Sequence, residues 1–137
     1  MISGIIHKGS GLGNQLFRYV FVRTLALDRG WEFGFEGIEN FKGRPWMALD
    51  FGKQVEGIKH EFVEKRVNNA QGVDIRNYDD RVKTIQDNTR IDGEFQGEWY
   101  FEHRKKEIRL GDTHPLLLCH RHDLHRRLSN DRLQFLA

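Results

Sequence analysis

Between Gly9 and Gln15 the chain sets glycines at alternate positions (Gly9, Gly11, Gly13), with Ser10 among them and two adjacent amides, Asn14 and Gln15, behind them. Glycine lets a backbone approach a ligand closely, because no Cβ intervenes. A helix starting at Asn14 would present unpaired N–H groups and the positive end of its dipole to whatever lies in front of it. An anion or a nucleotide sugar suits that chemistry. The dinucleotide fingerprint G-x-G-x-x-G needs a third glycine where Asn14 stands, so the match to it is incomplete. Glu32 and Glu36 lie about far enough along to bind a ribose, but acidic residues are common and add little. A tight strand-to-helix turn without a ligand is the bland alternative. The two amides favour the ligand, since they can bind sugar hydroxyls or a pyrophosphate as well as cap a helix.

Other reactive side chains are more scattered. Asp92, Glu94 and Glu98 form a carboxylate group that could supply a general base for an acceptor hydroxyl, or simply be surface charge. Trp46 and Trp99-Tyr100-Phe101 could stack on sugars, although consecutive aromatics more often seat an element in the core, as expected here for Phe101. His114, Cys119, His120, His122 and His125 invite a metal, but their spacing fits no zinc signature and Arg121, Arg126 and Arg127 would oppose a cation. No metal site is expected. That basic run lacks interleaved aromatics, so nucleic acid is not expected either.

The elements that must position these groups can be read from periodicity. Residues 2–8 form a short buried strand around Ile2, Ile5 and Ile6, with Gly4 weakening it but not ending it. Asn14 is a good N-cap. Phe17, Val20, Phe21, Thr24 and Leu25 then recur at helical spacing, and Gly30 is placed to stop the helix. Trp31 to Phe35 alternates as a second strand. Strand, glycine turn, helix and strand make a βαβ unit, which calls for a parallel sheet. Residues 36–56 read as a long loop with at most a short helical turn. Further strands are expected around Ile58–Val63 and Thr89–Phe95, a polar turn over 68–80, and a charged helix over Glu98–Arg109. Leu116–Cys119 would be another strand.

Bulk properties set the bounds. The 137 residues suit one modest domain. Lys and Arg number 22 against 20 Asp and Glu, a net +2, which gives no global reason to expect nucleic acid or an anionic membrane. Aromatics at 12% argue against disorder. One cysteine precludes an internal disulfide and suits a reducing compartment. No apolar run nears the roughly 18 residues of a spanning helix, so a soluble cytoplasmic protein is expected.

Ser10-Gly11-Leu12-Gly13-Asn14-Gln15-Leu16-Phe17-Arg18-Tyr19-Val20-Phe21 closely resembles the opening G-G-L-G-N-Q-M-F-Q-Y-A-F of the α-1,2-fucosyltransferase family, glycosyltransferase family 11. Leu25-Ala26 continues that likeness. A second segment, Asp92-Gly93-Glu94-Phe95-Gln96-Gly97-Glu98-Trp99-Tyr100-Phe101, is similar to the family's G-Y-F-Q-S-E-K-Y-F. Two such segments in the right order are more specific than either alone.

The resemblance covers residues 1–109 and implies an α/β fold, a Rossmann-like parallel sheet equivalent to the N-terminal domain of a GT-B glycosyltransferase. It implies transfer of fucose from GDP-fucose to a galactoside hydroxyl with inversion, with no metal or other cofactor. Gly11, Gly13, Asn14 and Gln15 would line the cleft, the glycines allowing close approach and the amides binding donor sugar or acceptor. Gln96 would be a secondary contact. The partners implied are a nucleotide sugar and a galactoside-type glycan.

The departures are informative. Ser10 replaces a glycine, Arg18 a glutamine and Gly97 a serine. The family's H-x-R-R-G-D-Y-type motif, whose arginine engages the donor pyrophosphate, has no counterpart. Ile108-Arg109-Leu110-Gly111-Asp112 comes too early, and Leu118 to Asp123 lacks the pattern. Residues 110–137 read as a divergent basic tail, where the family's second domain would begin. A truncated or frameshifted remnant is one reading. A non-catalytic sugar- or nucleotide-binding module is another, and a small dinucleotide-binding domain a third.

Overall fold

The computed structural model describes residues 1–65 and 78–108, with the backbone of Asn68–Asn69 and Gly72–Val73. The expected strand at Leu116–Cys119 and the His/Arg-rich tail lie outside the described residues. Strand β1 (Ile2–Ile5) leads through the glycine turn into helix α1 (Leu12–Arg29), which returns to strand β2 (Phe33–Glu36). Strand β3 (His60–Val63) follows a long connection, then a small antiparallel pair, β4 (Asn68–Asn69) and β5 (Gly72–Val73), and finally β6 (Thr89–Asp92). The main sheet has the order β2-β1-β6-β3 and is parallel throughout. The parallel sheet is the one the βαβ pattern called for, and the arrangement is α/β and Rossmann-like.

α1 covers this sheet because its apolar positions recur at helical spacing. Leu12, Leu16, Phe17, Tyr19, Val20, Phe21 and Leu25 are all buried. Gly30 stops it in the left-handed conformation, φ 67°, its N–H bonding Ala26 O. The N-terminus differs from expectation. The helix begins at Leu12, with Gly11 as N-cap and no side-chain cap, rather than near Asn14. Gly11 supplies its carbonyl to Gln15 N–H, and Asn14 turns its amide elsewhere.

Gly4 is essential rather than merely tolerated. A Cβ there would stand 2.5 Å from the Phe35 ring and 2.9 Å from Val22 Cγ2, so β1 must lack a side chain where α1 and Phe35 close over it. We expect Gly4→Ala to cost about 2 kcal/mol by overpacking. Urea unfolding checks this, and a variant as stable as the parent would contradict it.

The loop over 36–56 holds only one short 3-10 turn, Ile38–Asn40. It folds back along β2, where Lys53 N–H donates to Phe33 O at 2.9 Å. The strands expected at Ile58–Val63 and Thr89–Phe95 are present but shorter. The helix expected over Glu98–Arg109 is not formed. Two 3-10 turns, Glu98–Tyr100 and Glu102–Arg104, stand there, broken at Phe101 (φ −146°, ψ −5°). An α-helix would splay adjacent side chains about 100° apart, whereas Tyr100 and Phe101 both point into the core. The break permits that. Trp46 and Trp99 remain exposed. No helix among the described residues is long and apolar enough to cross a membrane.

Candidate functional site

In a parallel sheet every strand delivers its following loop to the same edge, and open α/β sheets bind ligands there. Four loops meet at that carboxyl edge. His7 and the glycine turn follow β1, Gly37 to Asn40 follow β2, Glu64 follows β3, and Gly93 to Gln96 follow β6.

The first group gathers on Asp92, the last residue of β6. Arg18 Nη1 donates to Asp92 Oδ1 at 2.6 Å, and His7 Nε2 lies 2.9 Å from the same oxygen. Burial alone would push the Asp92 carboxyl up. The hydrogen bonds from Arg18 and His7, with their charges, outweigh burial and hold it below the ordinary carboxylate range. An ionised carboxylate only accepts, so His7 donates to it through Nε2–H, and Nδ1 is an acceptor when the ring is neutral. The His7 side chain is 40% exposed. Arg18 is far less accessible.

The second group joins the two distant segments directly. Gln96 Nε2 donates to Asn14 Oδ1 at 2.6 Å and to Glu94 Oε2 at 2.9 Å. Both protons of that amide are then used. Outside these bonds Asn14 Nδ2 is a donor and Gln96 Oε1 an acceptor, the two functions a sugar hydroxyl can meet.

Gln15 has a different task. It is fully buried, its Nε2 donating to Asn40 O at 2.9 Å and its Oε1 accepting from Lys42 N–H at 3.0 Å. A longer contact reaches His7 O at 3.4 Å. Its amide ties the β2 loop to the glycine turn and is committed to backbone. Gly11 is exposed, and added Cβ atoms at Gly9 and Gly11 would meet nothing within 4 Å. The backbone at the turn is therefore open to approach. Gly9 takes φ 86°, which bends the chain into α1. The first turn of α1 carries no acidic residue and no side-chain cap, so its N–H groups keep their attraction for an anion.

The third group shapes the β6 loop. Phe95 sits at φ 47°, a left-handed conformation that a bulky residue rarely adopts. Glu64 Oε1 accepts from the N–H groups of both Glu94 and Phe95, at 2.9 and 3.1 Å, and clamps the turn. Tyr100 Oη donates to Glu64 Oε2 at 2.9 Å and accepts from Asp79 N–H at 2.8 Å. Burial raises the Tyr100 phenol well above its usual range, so it stays protonated and keeps donating. Asp79 in turn takes the Arg81 guanidinium, which holds its carboxyl down.

Of the carboxylates expected as a base, Asp92 lies at the centre of the first group, Glu94 orients Gln96, and Glu98 stands at the start of a 3-10 turn. Sequence reasoning missed His7 and Arg18 as partners of Asp92. The sequence carries one weak signal for them, a histidine directly after a buried strand. No group of His, Cys, Asp and Glu able to hold a metal occurs among the described residues. Compared with known proteins, the chain matches no family model, no curated protein and no solved structure at a significant level.

Proposed function

We propose that this chain forms the nucleotide-sugar side of a fucosyltransferase-like cleft, binding GDP-fucose at the carboxyl edge of the sheet. The observation that carries the reading is the Asn14–Gln96 hydrogen bond. It unites, at that edge, the two segments in which the resemblance resides. The open first turn of α1 would receive a diphosphate oxygen, and the Asn14 Nδ2 and Gln96 Oε1 pair a sugar hydroxyl. His7, oriented by Asp92, would accept the proton of the acceptor hydroxyl as its oxygen bonds the anomeric carbon and the bond to the diphosphate breaks. GDP would leave with that electron pair.

A second reading has its own support. Arg18 is already committed to Asp92 at 2.6 Å, so it does not supply a free clamp for the leaving diphosphate. A non-catalytic module that binds the sugar nucleotide accords with that.

Calorimetry with GDP-fucose and GDP tests both. We expect binding that Asn14→Ala or Gln96→Ala weakens about tenfold, the scale of one lost charge-assisted or paired hydrogen bond. A flat titration with folded protein would sink the proposal. Release of free fucose by the wild type, lost in His7→Ala, marks a catalyst. Binding without release marks the module.

A further inference from the structure

Strands β3 and β6 are still paired where they leave the sheet, for Glu64 N–H donates to Asp92 O at 2.8 Å. Beyond that bond the backbone ladder stops, and the Glu64 side chain takes over its task. Its Oε1 accepts the next two N–H groups of the β6 loop that it can reach, those of Glu94 and Phe95. Gly93 makes the approach possible. A Cβ there would stand 2.5 Å from Glu64 Cβ and 2.8 Å from Phe95 Cζ, so the loop lies directly against the glutamate.

A glutamate on a loop would ordinarily be free to swing away, but this one is held from behind. Its Oε2 accepts from Tyr100 Oη, and that oxygen accepts from Asp79 N–H. Asp79 Oδ2 in turn accepts from the N–H of Lys65, the residue after Glu64, at 2.8 Å. The bonds thus close a ring through Glu64, Tyr100, Asp79 and Lys65. The Tyr100 ring is buried and stands edge-on to both Phe21 and Phe95, which leaves its hydroxyl little freedom.

We propose that Glu64 is a positioning residue of the cleft, acting through the β6 loop on Gln96. The two N–H groups it holds belong to the residues immediately before Gln96. A bulky residue takes the left-handed conformation only when its surroundings impose it, and the paired N–H groups impose it on Phe95 at φ 47°. That turn brings the next side chain to Asn14, Gln96 Nε2 donating to its Oδ1 at 2.6 Å. Glu94, held by the same carboxylate, takes the second proton of the Gln96 amide. The effect on a ligand rests on the cleft reading, whereas the placement of Gln96 does not.

Two measurements on the full chain test this. In the free protein, the side-chain amide NMR signal of Gln96 reports its bond to Asn14. Glu64→Ala is expected to move that signal in the direction that Asn14→Ala moves it. Glu64→Gln keeps an oxygen that can accept from both N–H groups, and should leave the signal near its wild-type position. Tyr100→Phe keeps the ring, frees Oε2, and should move the signal the same way as Glu64→Ala but less. Calorimetry with GDP-fucose should follow the same order, with binding about tenfold weaker in Glu64→Ala and most of the affinity restored in Glu64→Gln. In a Gln96→Ala background, Glu64→Ala should weaken binding no further, because it acts through that side chain. A merely structural glutamate would weaken binding equally in both backgrounds, and that result would overturn the proposal. So would a Gln96 signal unmoved in folded Glu64→Ala, or in Tyr100→Phe should the first variant not fold. Failure of the wild type to bind GDP-fucose would remove the cleft reading, and the amide signal would still decide the role of Glu64.

Discussion

Phe95→Ala is expected to destabilise the protein by about 4 kcal/mol, and Phe95→Gly by less, a reversal of the usual ranking. The ring is 1% exposed, stacked on Phe21 with centroids 3.9 Å apart and edge-on to Tyr100 at 5.3 Å. Both substitutions lose that burial and leave a cavity between α1 and the β6 loop. They differ in the backbone. At φ 47° an alanine retains the steric cost of the left-handed region, roughly 1–2 kcal/mol, whereas glycine does not. Glycine's extra chain entropy offsets only part of this, about 0.5–1 kcal/mol. Urea unfolding of the two variants settles the order. Alanine the more stable by a kilocalorie would show that the left-handed turn is not enforced. The same turn aims Gln96 at Asn14, so both variants should also weaken GDP-fucose binding.

That turn explains what could and could not be read from the chain. The β1–α1–β2 unit was legible because its signals are local. The alternation around Phe33, the helical recurrence from Leu16 to Leu25 and the stop at Gly30 each need only their own neighbours. The strand ends were less legible, because β6 stops where Glu64 captures the N–H groups of Glu94 and Phe95, and those partners are some thirty residues apart in sequence. The stretch from Glu98 looked helical on charge pattern, but the chain breaks at Phe101, which lets the adjacent rings of Tyr100 and Phe101 both fill the core. In the site, the glycine turn and both amide patches were visible as motifs. Their division of labour was not. Gln15 and Asn14 are adjacent and chemically alike, yet one is buried against backbone and the other meets Gln96. Only the packing of α1 against the β2 loop separates them.

Removing the carboxylate at the end of β6 should have the second large effect. Asp92→Ala strands Arg18, whose side chain is 11% exposed and whose Nε has no partner among the described residues. Leaving a guanidinium so placed without a counter-charge should cost about 3 kcal/mol, the low end for a buried pair because Asp92 itself is 29% exposed. The double variant Arg18→Gln/Asp92→Asn removes both charges and should recover most of the loss. A double-mutant cycle measures this, and additive single effects would mean the pair is not coupled.

The pH dependence has a definite sign. The native Asp92 pKa is depressed, so its contribution is complete above the unfolded carboxylate value near about 4. It fades as pH falls through the lower native value. Asp92→Asn should therefore flatten the acid limb of the stability profile and leave the neutral region lower. His7→Gln, which keeps a donor near Asp92, should disturb stability less than Asp92→Ala.

Strands at the rim of a sheet present unpaired N–H and C=O groups, and a second chain can add to them and start an aggregate. The loop that folds back along β2 matters here. Lys53 N–H takes Phe33 O, and a side chain at Gly34 would collide with Lys53 O, so that rim is sealed by close backbone contact. At the opposite rim, β3 is short, with exposed His60 and Glu61 between exposed Lys59 and Lys65. Charge and brevity guard one side and a strap closes the other. A sheet built this way resists being lengthened by its own copies, which matters for a parallel array whose inner strands β1 and β6 bury Ile2, Ile5 and Ile91.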